Sequence, residues 1–228
     1  MCDDAAVPHS ILEVIALNAL DARAARDGGA DRIELVADMR AQGLTPPVET
    51  YAAVRAAVEL PVRVMLRADD GYALSDAATL TRCARELRAA GADEFVLGFL
   101  DADGKVDIAA VETVLAAIDG CRWTFHRAFD HAGDRLAAWD AIAELPGLDG
   151  VLTAGSPHGV EAGLGTLLSE ATRTPPVLVG GSLRQQHLAP LLDVGVRAFH
   201  TGGAVRPAGA WDAPVDAHLV RLWRGLLP

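Results

Sequence analysis

The stretch Gly29-Ala-Asp-Arg-Ile-Glu-Leu-Val36 joins a helix stop to a strand start. A glycine after an Ala/Arg-rich run closes a helix cheaply, because it takes up the left-handed conformation without steric cost. The run Arg32–Val36 then has the apolar and β-branched character of a strand. The same punctuation returns at Gly91-Ala-Asp93 ahead of Glu94–Gly98, and more loosely at Gly147-Leu-Asp149 ahead of Gly150–Thr153. Five further runs of this kind are Ile11–Ala16, Val62–Arg67, Arg122–Arg127, Val177–Gly180 and Arg197–Thr201. Segments of helical period separate them, and the strand starts fall 20 to 32 residues apart, one βα unit each. Eight such units predict an α/β chain folded as a single-domain (β/α)8 TIM barrel spanning 1–228. Its core would cover 11–204, with a closing helix at about 214–226. A doubly wound sheet is the alternative, but it more often has five to seven strands. The echoes precede strands two, four and six, which suggests a repeat of two βα units.

Local signals fit this frame. Asp107 reads as an N-cap for the apolar face Ile108, Val111, Val114, Leu115 and Ile118, with Gly120 as the stop. Ser75 is a candidate cap for the helix carrying Leu80, Ala84 and Leu87. Thr45, before Pro46, reads as the cap of the next helix upstream, whose free N–H groups could face an anion. Pro190 predicts a kink or a helix start. The run Asp101–Asp107 resembles a calcium loop but lacks its terminal glutamate, so it reads as a turn plus a helix cap. Trp123, Phe125, Phe129 and Trp139 read as core.

Composition narrows the function. The chain has 228 residues, 51% apolar, with a formal charge of −11. That balance excludes disorder and speaks against a nucleic-acid partner, which needs a basic face. No apolar run approaches the roughly 18–20 residues of a membrane span. The N-terminal Cys2, Asp3 and Asp4 lack the features of a signal peptide. Cys2, Cys83 and Cys121 form no CxxC pair, which speaks against a disulfide framework and for a cytoplasmic location. Lys105 is the only lysine and sits in a turn-like stretch, which argues against Schiff-base and pyridoxal chemistry.

Sites in such barrels lie at the C-terminal ends of the strands. There the sequence places Glu13, Glu34, Arg67, His126, Arg127, Thr153 and His200 as candidate catalytic residues. Singly, each carboxylate could be half of a buried ion pair, and each histidine a packed one. Together, at the ends of so many strands, they predict a pocket. Val179-Gly-Gly-Ser182 and Thr201-Gly-Gly-Ala204 follow the last two strands, where barrels often bind phosphate. Gly180, Gly181, Gly202 and Gly203, with Thr45, are therefore candidate anion-binding residues. These features suit an enzyme acting on a small anionic or phosphorylated substrate, a lyase, an isomerase or a metal-assisted hydrolase. A barrel working through a surface that includes Trp211 or Trp223 is a further possibility.

The assembled motifs resemble the CutC family, the so-called copper homeostasis proteins. The matching pieces are Leu12-Glu-Val14, Gly29-Ala-Asp-Arg-Ile-Glu-Leu35, Gly43-Leu-Thr-Pro46, Leu100-Asp-Ala-Asp-Gly104, Thr124-Phe-His-Arg-Ala-Phe-Asp130, Val151-Leu-Thr153 and Phe199-His200. The resemblance implies a cytosolic barrel with a role in copper handling, self-associating as a homodimer or larger homo-oligomer. It also implies that family motifs occupy the candidate positions named above. The departures from the family pattern bear on copper. Where family members commonly carry cysteine, this chain has Ile15 and Val36. Cu(I) favours sulfur ligands, so the cysteine route to it is missing. The family's Arg-Pro-Arg-Gly-Gly loop is shortened to Arg67-Ala-Asp-Asp-Gly71. The segment beyond strand eight is also short, which predicts a mouth without a covering loop there.

Overall fold

The strand runs pair in chain order and close on themselves. The computed structural model describes residues 9–228, so Cys2 lies outside the described residues. The first half runs β1 (Ile11–Ala16), α1 (Ala19–Gly28), β2 (Arg32–Leu35), α2 (Val48–Ala57), β3 (Val62–Met65), α3 (Ala77–Ala89), β4 (Glu94–Leu97) and α4 (Ile108–Leu115). The second half runs β5 (Arg122–Phe125), α5 (Arg135–Ile142), β6 (Leu148–Thr153), α6 (Val160–Glu170), β7 (Val177–Val179), α7 (Leu188–Asp193), β8 (Ala198–Thr201) and α8 (Ala217–Arg224). All neighbours are parallel, and β8 returns to β1 to complete a closed barrel. The (β/α)8 barrel expected from the repeat is the fold the chain adopts. Among the described residues no helix is long and apolar enough to cross a membrane.

The three echoed turns share one cause. Gly29, Gly91 and Gly147 all take positive φ, at 90°, 101° and 76°; Gly29 and Gly91 close α1 and α3, and Gly147 turns the chain into β6. Asp107 caps α4 as expected, accepting from the Ala110 N–H. The cap of α3 is Asp76 and not Ser75, because the helix starts one residue later; Ser75 instead donates to Asp69. Thr45 caps nothing, since α2 starts only at Val48, after Pro47. Its hydroxyl donates to the Arg67 carbonyl at 3.1 Å and accepts from the Arg67 N–H at 2.9 Å, tying the loops after β2 and β3 together. Pro190 falls in the first turn of α7, where its missing N–H costs nothing. The closing helix is shorter than expected; α8 lays Val220 against Gly28 of α1, where any side chain at position 28 would collide with it.

Strand alternation sorts the interior. Leu12, Val14, Ile33, Leu35, Val64 and Phe95 face the helices, with Trp123, Phe125, Phe129 and Trp139 in the same apolar body. Ile15, Val36, Met65 and Val96 form a separate cluster, turned toward the barrel axis. Toward the N-terminal ends of the strands the axis is charged. There Arg63 bonds Glu94 at 3.0 Å, Asp149 at 2.5 Å and the Thr124 hydroxyl, and Arg122 also reaches Glu94. Removing one member of such a buried network costs about 3–5 kcal/mol, so these charges close the barrel floor.

Candidate functional site at the barrel mouth

Past the C-terminal ends of the strands the barrel opens into a cavity of about 300 Å³. Glu34, Arg67, His126, Arg127 and His200 line it, together with Gly181, Gly202 and Gly203. Strands β3 and β5 stop at Met65 and Phe125, so Arg67, His126 and Arg127 are carried by the loops just beyond them. Ile15, Met65, Leu152 and Trp211 supply the apolar part of the wall.

Glu13, Thr45, Thr153 and Gly180 do not line this cavity. Glu13 lies one pleat deeper on β1, fully buried, where its Oε1 faces His200 Nδ1 at 2.7 Å and its Oε2 accepts from Arg32 at 2.5 Å. Gly180 backs onto His200 and Leu152, leaving no space for a Cβ. Thr153 is on the wrong face: β6 turns Leu152 into the cavity and Thr153 toward α5. Its hydroxyl donates to Asp130 at 2.5 Å and accepts from Arg135 at 2.6 Å and from the Gly155 N–H at 2.9 Å. Arg135 in turn bonds Glu170 of α6 at 2.7 Å. That knot ties two helices to the barrel wall.

Arg67 reaches the cavity with most of its donors already used. Nε donates to the Gly71 carbonyl at 3.1 Å, Nη1 to Ala41 at 2.8 Å and Nη2 to Asp70 at 2.5 Å. Its face stacks on Tyr72 at 5.0 Å. Read from the sequence as a candidate catalytic residue, it staples two loops together. Arg127 is freer: Nε bonds Asp130 at 2.8 Å and Nη2 makes long contacts at 3.4 Å to the Ser156 and Pro157 carbonyls. Beside it, the amides of Gly181, Ser182 and Leu183 donate to no acceptor among the described residues.

Two buried atoms in the cavity wall lack partners, Glu34 Oε1 and His126 Nε2. Burial pushes the Glu34 carboxyl up to about 7, with the His200 charge opposing and the Glu13 charge adding. Burial, then the charges of Arg67 and His131, bring His126 down to about 3, so its ring is neutral. His126 Nδ1 accepts from the Ala128 N–H at 3.1 Å, which places the remaining proton on Nε2. Burial would raise the Glu13 carboxyl, but Arg32 and His200 outweigh it and hold it well below the carboxylate range. Burial would likewise lower His200, yet Glu34 and Glu13 hold it above its ordinary value. The mouth thus offers one acid near neutrality and one fixed neutral donor.

Sequence reading missed Met39, Gln42, Tyr72, Ser182, Leu183 and Trp211, all between the strands and α-helices and all lining the cavity. Trp211 also corrects the expectation of an uncovered mouth. It rests on Gly202, and Arg206 stacks on it at 5.1 Å while bonding buried Asp21 at 2.7 Å. Gly202-Gly203 was the available signal: a glycine there makes room for an aromatic ring as well as for an anion.

Glu13, Glu34 and His200 bring ligand atoms within 4.8 Å of one another. Two carboxylates and an imidazole are not the sulfur set that Cu(I) prefers, and Arg32 already occupies Glu13. Cys83 sits in the middle of α3, and Cys121 lies just ahead of β5, at the end of the barrel opposite the mouth. The described residues therefore do not form a thiolate site for copper.

A closed (β/α)8 barrel with a polar cavity at its C-terminal mouth is the class that fold and site define. Within that class, the chain belongs to the CutC family, whose sequence model matches residues 10–205. A CutC family protein of Klebsiella pneumoniae (strain 342) is 37% identical over 207 residues, covering 89% of this chain and 81% of the relative. The crystal structure of a CutC from Streptococcus agalactiae, named for copper homeostasis, superposes with a TM-score of 0.75 at 22% identity, covering 85% of this chain and 98% of that one. Phosphoribosylanthranilate isomerase from Thermotoga maritima shares the fold alone, with a TM-score of 0.64 at 12% identity over 95% of this chain and 97% of that one.

Proposed function

We propose that this chain serves the copper-homeostasis role for which its Streptococcus relative is named through a small anionic ligand bound at the barrel mouth, and not through thiolate coordination of Cu(I). One observation carries the reading: Glu34 Oε1 and His126 Nε2 are both buried in the cavity wall without a protein partner. An unpaired buried polar atom costs about 1–3 kcal/mol, and a ligand that bonds both atoms recovers that loss. The unpaired amides of Gly181–Leu183 and the Arg127 guanidinium support an anionic group on the same ligand. The net charge of −11 keeps nucleic acid and anionic membrane surfaces away. A cytoplasmic location is supported by the unpaired cysteines. Self-association as a homodimer or larger homo-oligomer is supported by Leu222 and Leu226, exposed at the C-terminal end of the chain.

Calorimetric titration of the full chain with inorganic phosphate, beside a Cu(I) competition against a chelator, tests this. Phosphate is expected to bind and to bind at least tenfold more weakly to R127A. Copper is expected to remain with the chelator at micromolar protein. Stoichiometric Cu(I) uptake without phosphate binding would overturn the proposal.

A further inference from the structure

Resting on that small-ligand reading, we infer that the cavity performs keto–enol proton transfer on a small carbonyl compound with an anionic tail. The carbonyl oxygen accepts the Nε2–H of His126, and Glu34 takes a proton from the neighbouring carbon and gives it back. The argument begins with what His126 cannot do. Its Nδ1 is occupied by the Ala128 N–H at 3.1 Å, so the ring presents Nε2–H and has no lone pair to offer the cavity. It is a hydrogen-bond donor toward oxygen and not a base. Glu34 is the complementary group, a carboxyl with one unpartnered oxygen, Oε1, in the same wall.

A neutral imidazole donor sharing one cavity with a carboxyl that exchanges its proton near neutrality is what enolisation needs. The balance is simple. The C–H bond breaks, its electron pair becomes the C=C bond, and the proton goes to a Glu34 oxygen. The carbonyl π pair moves onto oxygen, where the His126 donor stabilises the developing charge. Return of the proton from Glu34 to the same carbon, as the oxygen pair re-forms the carbonyl, gives exchange with solvent. No oxidant, reductant or co-reactant enters. His200 acts as a positioning residue: Glu13 fixes its Nδ1 at 2.7 Å and its Nε2 stands 3.8 Å from Glu34 Oε2, leaving Oε1 toward the substrate. The anionic tail belongs at the Gly181–Leu183 amides, next to Arg127.

The test follows proton NMR of dihydroxyacetone phosphate and of pyruvate in D2O with the full chain, against E34Q and H126A purified identically. Carbon-bound protons of at least one probe are expected to exchange at least tenfold faster with the wild-type chain than with E34Q. H126A should lose most of that gain, and H126Q, which restores an N–H donor, should recover part of it. Circular dichroism of each variant reports folding. If the probes bind, by line broadening that phosphate relieves, yet exchange no faster than with E34Q, the enolisation inference is overturned while the small-ligand reading stands. If no probe and no phosphate binds, both fall.

Discussion

Glu13 and His200 are locked together at 2.7 Å inside the barrel, both buried, and Glu34 lies just beyond the far ring nitrogen. The pair leaves Glu34 as the carboxyl that changes charge in the working range. Folded, Glu34 holds its proton up to about 7; its ordinary value is 4.5, which the unfolded chain approaches. The folded state therefore binds the extra proton between those values. The stability from this group is whole below about 4.5 and is lost as pH rises through about 7. His200, raised above its ordinary value, loses its contribution in the same direction. The wild-type Tm is thus expected to fall from pH 5 to pH 8. E34Q, which keeps the shape and removes the charge, should fall less and melt roughly 2–8 °C above the wild-type chain at pH 8. Parallel melting curves for the two proteins across this range would refute the assignment.

Arg67 donates to carbonyls in two loops, and only a planar fork fits all of them. R67K keeps the charge but has neither the fork nor the reach. It is expected to cost about 1–3 kcal/mol in denaturant unfolding through unpaired carbonyls. Amide exchange should speed up around residues 41–43 and 70–71. If R67K abolished phosphate binding with no change in stability or exchange, the staple role would be wrong.

The barrel was legible because its signal is repeated: a glycine stop, a short β run and a helical face recur around the chain, so an error of one or two residues at β3, β5 or β8 changes nothing. The site was legible only in part. Glu13, Glu34, His126 and His200 stand out as polar residues on inward faces of otherwise apolar strands. At strand ends, however, one residue of phase decides everything, and β6 turns Leu152 inward where the polar Thr153 had been expected. What holds Arg67 is a set of backbone carbonyls up to 26 residues away, which no local pattern announces. Tyr72 and Trp211 come from loops without any period, so only closure of the barrel brings them to the mouth.

Thr153 separates a structural knot from the functional cavity. Its hydroxyl is saturated by Asp130, Arg135 and the Gly155 amide. T153V keeps the β-branched shape and removes all three bonds. Unfolding free energy should drop by about 1–3 kcal/mol, with phosphate affinity unchanged within about twofold. A large affinity loss in T153V with unchanged stability would put Thr153 back among the ligand-binding residues.

Gly202 sets how closely Trp211 covers the mouth. Its φ of −138° lies outside the left-handed region that an alanine would resist. Its Cβ, however, would lie 2.3 Å from Trp211 Cη2 and 2.8 Å from Ile15 Cδ1. The indole has to leave, because Ile15 is held within the barrel cluster. G202A is therefore expected to cost about 1–3 kcal/mol by overpacking. Trp123, Trp139 and Trp223 are buried at 0%, 2% and 3% exposure, so the fluorescence change would come from Trp211. A red shift and stronger acrylamide quenching should report its displacement into water. The double variant G202A/W211A supplies the control: with the ring gone, alanine at 202 meets one neighbour fewer, and most of its cost should vanish. If G202A were equally costly in the W211A background, the glycine would be serving something other than the seat of this side chain.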